Sequence, residues 1–364
     1  MKNRAVLGAL VLLTVLTFPG CGRFRRHAAA QSPAAPIAPT QQPQTRPAAS
    51  VTIPILCFHD VGANAKQDYS VTTKAFGAYI KYLHSAGYQT VTISQLAAYL
   101  SGQGTLPAKP IALTFDDGWK SVVTTVKPIL DKYGYTGTAY LIANNVGKGA
   151  QLLTWDDAKG LRKCGYEIGS HTLSHAMLTR RGPKETTEAF QRRIRKEIAD
   201  SKSVIEQHLG ETISSIAYPN GLYDDFVLQT AQQEGYSAGC TTDHGPADSQ
   251  SSALRLPRQM VMHNTPMKTI QHACALKALH LTNVKPVIGA HVAARSASIN
   301  FDLESGVKPA QILKGIRLSP GSIIKTDVKG QSVSLSVRLN RGASYVIIDG
   351  AGRGTSWLVI CDGQ

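Results

Sequence analysis

The chain has 364 residues, 43% hydrophobic and 17% charged, a balance that excludes a disordered or fibrous protein and suits one large domain plus a smaller one. Lys and Arg outnumber Asp and Glu by 39 to 24, and the net charge of +15 favours anionic surroundings such as nucleic acid, anionic headgroups or acidic envelope polymers. No helix-turn-helix, zinc-finger or RNA-binding signature accompanies that charge, so nucleic acid is not an expected partner.

Lys2 and Arg4 precede an apolar run from Ala5 to Phe18, short for a membrane span but suited to a signal-peptide core. The run closes on Gly20-Cys21, which is similar to a bacterial lipoprotein cleavage site. Residues 1–21 are therefore expected to be a signal peptide that leaves an acylated Cys21 as a membrane anchor. Phe18 and Pro19 depart from the usual residues there, and an ordinary signal peptide is the alternative. Residues 22–50, rich in Ala, Pro and Gln, cannot bury a core and read as an extended tether. An exported protein of the cell envelope follows, facing the periplasm or exterior. Of six cysteines, five remain without Cys21, and no CxxC occurs, so no cysteine-based zinc site is expected.

From Val51 the texture changes. Strands are expected at 51–58, 88–92, 111–115, 138–142, 166–169, 214–217, 237–241 and 256–261. Between them lie helices near 73–85, 94–100, 120–132, 155–164, 184–208 and 224–234. This alternation predicts βαβ units and a mostly parallel sheet. The fold class is α/β, an irregular (β/α) barrel of about seven strands, with functional residues at strand C-termini. Residues 51–278 form that domain in this reading. Residues 279–364 carry short alternating strands between Gly, Ser and Asn turns, the pattern of a small all-β sandwich. An accessory carbohydrate-binding role and a purely structural one both stay open for it.

Four strand ends carry polar residues that a barrel would bring together. The segment Ile111–Lys120 reads IALTFDDGWK, with Asp116 and Asp117 just past a buried strand. An isolated DDG is also an ordinary Asp-Gly turn capping a helix. Two adjacent carboxylates repel, however, and leaving both ionised needs a cation, a metal or a shared proton. His171 and His175 follow another strand and are four apart, which on a helical turn points both imidazoles at a shared ion. Two histidines and a carboxylate form a facial ligand set with open positions for water and substrate. His59 and the segment Ala217–Gly221 follow two further strands. Trp119, Trp155 and Tyr223 could stack on sugar rings or simply pack.

Thr114–Gly118 (TFDDG) and His171–His175 (HTLSH) resemble the leading motifs of the polysaccharide deacetylase family, carbohydrate esterase family 4, also called the NodB homology domain. The likeness extends over roughly residues 51–275, including AYPNGLYDD and LRLPR. It implies hydrolysis of N-acetyl groups on an amino-sugar polymer with the help of a divalent metal. Zinc is the expected ion, with nickel or cobalt also compatible. By the motifs, Asp117, His171 and His175 match the metal ligands and Asp116 the catalytic base.

Two departures stand out. The family's third motif carries an arginine and a tyrosine where this chain has Ala217-Tyr218-Pro219-Asn220. The oxyanion-contacting N–H would then fall at Asn220, and the missing arginine leaves the base without its usual partner, a role open to Arg258. The second concerns the acid. ILCFHDVG resembles the opening of the subgroup acting on exported poly-N-acetylglucosamine, in which a histidine of this early segment takes the acid's place. His59 is thus the expected acid, and His263 is the competing candidate. The implied function is deacetylation of exported poly-N-acetylglucosamine. Peptidoglycan N-deacetylation and catalytically silent polysaccharide binding are the alternatives.

Overall fold

The computed structural model describes residues 51–62 and 66–362. The expected signal peptide, Cys21 anchor and tether lie outside these residues. Eight short strands run parallel: β1 (Ile55–Phe58), β2 (Gln89–Val91), β3 (Pro110–Phe115), β4 (Thr138–Leu141), β5 (Glu167–Ser170), β6 (Ser215–Ala217), β7 (Ala238–Cys240) and β8 (Gln259–Met260). Their order is β8-β1-β3-β4-β5-β6-β7, and β2 borders the first half of β3 while β4 borders the second. A single segment joins the two edges. Leu256 bridges Cys240 of β7, and Gln259–Met260 pair with Leu56–Cys57 of β1. The sheet thus curls into an irregular α/β barrel, as the alternation of elements predicts.

Strand alternation sorts the side chains into two layers. Leu56, Phe58, Ile111, Leu113, Phe115, Ile168 and Ile216 face outward into one apolar cluster with helix residues such as Ile80, Leu161, Ile194 and Ile198. The inward positions hold a second, smaller cluster that includes Ile55, Ala112, Tyr140, Ala217 and Cys240. Continuing the inward series toward the strand ends gives Cys57 then His59 after β1, Thr114 then Asp116 after β3, and His171 after β5. The barrel floor is apolar and its mouth is polar because the same alternation carries on past the last strand residue.

The helices on the outside are α1 (Thr73–Ser85), α2 (Ile93–Leu100), α3 (Lys127–Asp131), α4 (Trp155–Lys163), α5 (Thr187–Leu209), α6 (Asp225–Gln233) and α7 (Met267–Ala275). Their starts follow side-chain caps: Thr72, Thr92, Thr154, Thr186 and Asp224 each accept from a backbone N–H of the first turn. At α2 the cap is Thr92 in a capping box with Gln95, two residues before the expected start at Ser94.

Beyond α7 the chain forms two sheets. One has the order β9 (Lys277–Ala278), β17 (Arg353–Cys361), β16 (Gly342–Gly350), β13 (Ile316–Ser319), with β11 (His291–Val292) also on β17. The other runs β10 (Leu281–Lys285), β12 (Ser296–Leu303), β15 (Ser332–Leu339), β14 (Gly321–Lys329). Phe301, Leu335 and Val337 of one sheet meet Val346, Ile348, Trp357 and Val359 of the other in a shared core, which makes the pair a sandwich. β17 is buried on both faces. Trp357 and Val359 enter the sandwich core, while Leu358 and Ile360 join the outer cluster of the barrel. The strands expected between residues 279 and 364 are uneven in length: only His291–Val292 pair at β11, and β13 is too short for its alternation to stand out. The five described cysteines are all free.

Candidate active site

Asp116 follows β3 at the barrel mouth and is almost fully buried. Arg258, equally buried, donates from Nη1 to Asp116 Oδ1 at 2.7 Å and from Nη2 to Oδ2 at 2.8 Å. The fork is held by Nε donating to the Thr241 carbonyl at 2.8 Å and by Nη1 donating to Thr114 Oγ1 at 3.1 Å. Cys57 Sγ donates to Asp116 Oδ2 at 3.4 Å. Burial alone would raise the Asp116 pKa, but Arg258, His171 and His59 outweigh it and hold the carboxyl well below the usual range. Asp116 is an ionised, oriented carboxylate.

Asp117 points elsewhere because its backbone is left-handed, at φ 72°, as is that of Gly118 at φ 74°. Two adjacent carboxylates thereby leave the strand end in different directions, and the plain helix-cap reading of DDG does not apply. Trp119 Nε1 donates to Asp117 Oδ2 at 3.2 Å. The other oxygen, Oδ1, lies 3.5 Å from His171 Nε2 and 3.7 Å from His175 Nε2. The two imidazoles are 4.8 Å apart, centre to centre.

The helical turn expected for His171–His175 is corrected: the segment is a loop, with left-handed backbone at Thr172 and His175, both φ 62°. Such backbone costs on the order of 1–3 kcal/mol per non-glycine residue and persists where surroundings enforce it. Here the enforcement comes from α5. Glu197 accepts from the Ser174 N–H at 2.9 Å and from Ser174 Oγ at 2.6 Å. His171 Nδ1 lies 2.7 Å from the Ala217 carbonyl, which fixes the proton on Nδ1 and leaves the Nε2 lone pair facing Asp117. Burial lowers the His171 pKa against the pull of Asp116 and Asp117, favouring the neutral, ligating form.

This donor set fits a divalent cation. One carboxylate oxygen and two Nε2 atoms converge within 4.8 Å of one another. Ligands about 2.1 Å from one ion stand roughly 3.0–3.4 Å apart, so small side-chain rotations would complete the site.

His59 also reaches the centre. One of its ring nitrogens, Cys57 Sγ and an Asp116 oxygen lie within 4.8 Å of one another, and the His59 Nδ1 is buried with no partner among the described residues. Its ring is 6.0 Å from that of Tyr69, which stacks on Trp119 at 5.7 Å. His263 likewise has a buried, unpartnered Nδ1, and its backbone N–H donates to the Asp68 carbonyl at 2.8 Å. The two histidines follow neighbouring strands, β1 and β8, which is why the order of residues alone left both in play. Asn220 is exposed and left-handed at φ 56°, and its Nδ2 donates to Met177 Sδ at 3.2 Å.

The Asn220 loop is braced from the sandwich. Tyr345 Oη of β16 donates toward the Asn220 and Gly221 carbonyls, each at 3.3 Å, and lies 3.1 Å from Thr242 Oγ1. Cys57, Glu197 and Tyr345 are neighbours of the site that motif reading passes over, and Trp119, expected to stack on sugar or pack, instead hydrogen-bonds Asp117. Cys57 carried a usable signal, since it shares the inward face of β1 with His59. Of the other aromatic candidates, Trp155 stacks on His208 at 4.0 Å and Tyr223 is buried, donating to Asp243.

The polysaccharide deacetylase family model matches residues 103–239, a span holding Asp116, Asp117, His171, His175 and Asn220 but not His59 or Arg258. YxkH of Bacillus subtilis (strain 168), whose name assigns it to the polysaccharide deacetylases, is 31% identical over 209 residues, 57% of this chain and 71% of that protein. The poly-beta-1,6-N-acetyl-D-glucosamine N-deacetylase of Staphylococcus aureus (strain MRSA252) is 24% identical over 200 residues, 54% of this chain and 69% of that protein. Among solved structures, the Streptococcus pyogenes deacetylase PplD in complex with acetate superposes with a TM-score of 0.55 at 27% identity, over 62% of this chain and 99% of PplD. The chain belongs to the polysaccharide deacetylase family, hydrolases of N-acetyl amide groups.

Proposed function

We propose that this chain is a metal-dependent N-deacetylase of an N-acetylglucosamine-containing polysaccharide, exported poly-N-acetylglucosamine being the substrate that the Staphylococcus aureus relative favours. The observation that carries the reading is one carboxylate, Asp117, turned toward two imidazoles, His171 and His175, while its neighbour, Asp116, is clamped separately by Arg258. A divalent ion at Asp117, His171 and His175 would polarise the acetamide carbonyl and lower the pKa of water, which is what lets so weak a base as Asp116 suffice.

Asp116 accepts the proton released as water adds to the carbonyl carbon. Arg258 keeps that carboxylate ionised and aimed, and Oδ1, which accepts from Arg258 while Oδ2 accepts from both Arg258 and Cys57, retains a further lone pair for the incoming proton. The Asn220 peptide N–H serves the developing oxyanion. His59 gives a proton to the departing nitrogen as the C–N bond breaks, leaving acetate and a free amine. Trp119 occupies one Asp117 oxygen, so that the other is presented to the ion.

The export, lipid anchor and envelope location read from residues 1–50 belong to this proposal. No helix among the described residues is long and apolar enough to cross a membrane. The test is acetate release by purified protein from poly-N-acetylglucosamine and, separately, from peptidoglycan, before and after chelation and zinc return. Zinc-restored release from the first polymer supports the reading. Release from peptidoglycan alone redirects the substrate, and glycan binding without release from either makes the chain a silent binder.

A further inference from the structure

A cleft of about 1360 Å³ lies between the barrel and the sandwich. Its near end is formed by Met177 and Leu222, each two residues from a site residue, His175 and Asn220. Its far wall is the sandwich, through Arg341 and the end of β17. Pockets for drug-sized ligands run to about 300–1,000 Å³, so this volume suits several sugar units of a strand threaded past the reacting unit.

The charges of the cleft do not cancel. Its two acids are already engaged: Glu185 accepts a two-pronged pair from Arg193 at 2.8 and 2.9 Å, and Asp362 lies 2.9 Å from His291 Nδ1. Arg180, Arg181 and Arg341 also line it, are exposed, and form no ion pair among the described residues. Arg181 donates to Thr187 Oγ1 at 2.9 Å near the N-terminus of α5, where its charge also acts on Glu185 and Glu188. An unsubstituted N-acetylglucosamine strand offers three guanidinium groups hydroxyl and carbonyl acceptors but no anion. Deacetylated units, which carry ammonium groups, are repelled. Guanidinium forks match planar carboxylate and phosphate.

We propose that this cleft is a subsite for an anionic stretch of glycan, in which Arg180, Arg181 and Arg341 engage carboxylate or phosphate substituents on sugars next to the one being deacetylated. The sandwich then supplies part of the substrate-binding surface. This rests on the deacetylase reading for its biological sense, but binding can be measured without turnover.

The variant is the full chain with Arg180→Gln and Arg341→Gln, neither residue belonging to the catalytic set. Calorimetry would compare N-acetylglucosamine oligomers that are neutral, carboxylate-bearing or phosphate-bearing. Wild-type protein should bind at least one anionic oligomer about tenfold or more tighter than the neutral one, with affinity falling as salt rises, and the two acidic arms tell carboxylate from phosphate. The double variant should lose that preference and its salt dependence while its affinity for the neutral oligomer and its melting temperature hold. Equal affinity of wild-type protein for all three oligomers, or an unchanged preference in the variant, would overturn the subsite. Loss of acetate release from every oligomer with the preference intact would instead count against the deacetylase reading.

Discussion

Arg258 clamps Asp116 from about 140 positions away in the chain, and in the proposed mechanism the chemistry of Asp116 depends on it. Breaking a buried ion pair leaves an uncompensated charge at a cost of roughly 3–5 kcal/mol. Arg258→Gln should therefore lower stability by about that amount in denaturant unfolding and reduce kcat at least a hundredfold. Arg258→Lys, a point charge lacking the fork, should recover stability better than rate. Equal recovery of both would show that orientation of Asp116 is unimportant. For the acid, His59→Ala should cost far more rate than His263→Ala, and the opposite ranking would move that role to His263. Asp243 makes a separate prediction. Burial pushes its carboxyl up to about 6, against the pull of Arg255 and the hydrogen bonds of Tyr223 and Thr241. A raised carboxyl pKa favours the protonated folded state, so this stability is complete below the unfolded value near 4 and is lost as pH rises through 6. About two units correspond to about 3 kcal/mol. The stability of Asp243→Asn relative to wild type should grow by roughly that much between pH 4 and 7, and a pH-independent difference would contradict the assignment.

At the level of elements, the left-handed residues tell where sequence reading ends. Six described non-glycine residues have positive φ, and four of them, Asp117, Thr172, His175 and Asn220, belong to the site loops. The motifs identified which residues meet, because TFDDG and HTLSH sit on strand ends that the alternation of elements had already located. They did not reveal how. A spacing of four suggested a helical turn, yet the loop brings the imidazoles together by two left-handed steps enforced by Glu197, a contact 23 residues away from Ser174. Tyr345 was equally hidden, because no local pattern links β16 to the Asn220 loop. Its hydroxyl holds two carbonyls of that loop, so Tyr345→Phe should lower kcat several-fold with KM and melting temperature nearly unchanged. A change confined to melting temperature would reduce Tyr345 to a packing contact.

For the whole molecule, barrel and sandwich share β17, whose alternate residues serve two cores. The run SWLVIC is apolar at nearly every position, and that continuity signals a strand covered on both faces. What covers it could not be read from the run itself. The consequence is a mouth built from strand ends of one fold and braced by a tyrosine of another. In the mechanism proposed for that mouth, two adjacent carboxylates divide the labour. The direct measurement is Asp116→Asn, with bound metal and acetate release determined on the same sample. Metal stoichiometry should match wild type, which also certifies the folded site, while release falls at least a thousandfold. Retained release with full metal content would remove Asp116 as the base, and loss of metal along with activity would show that Asp116 and Asp117 are not separable.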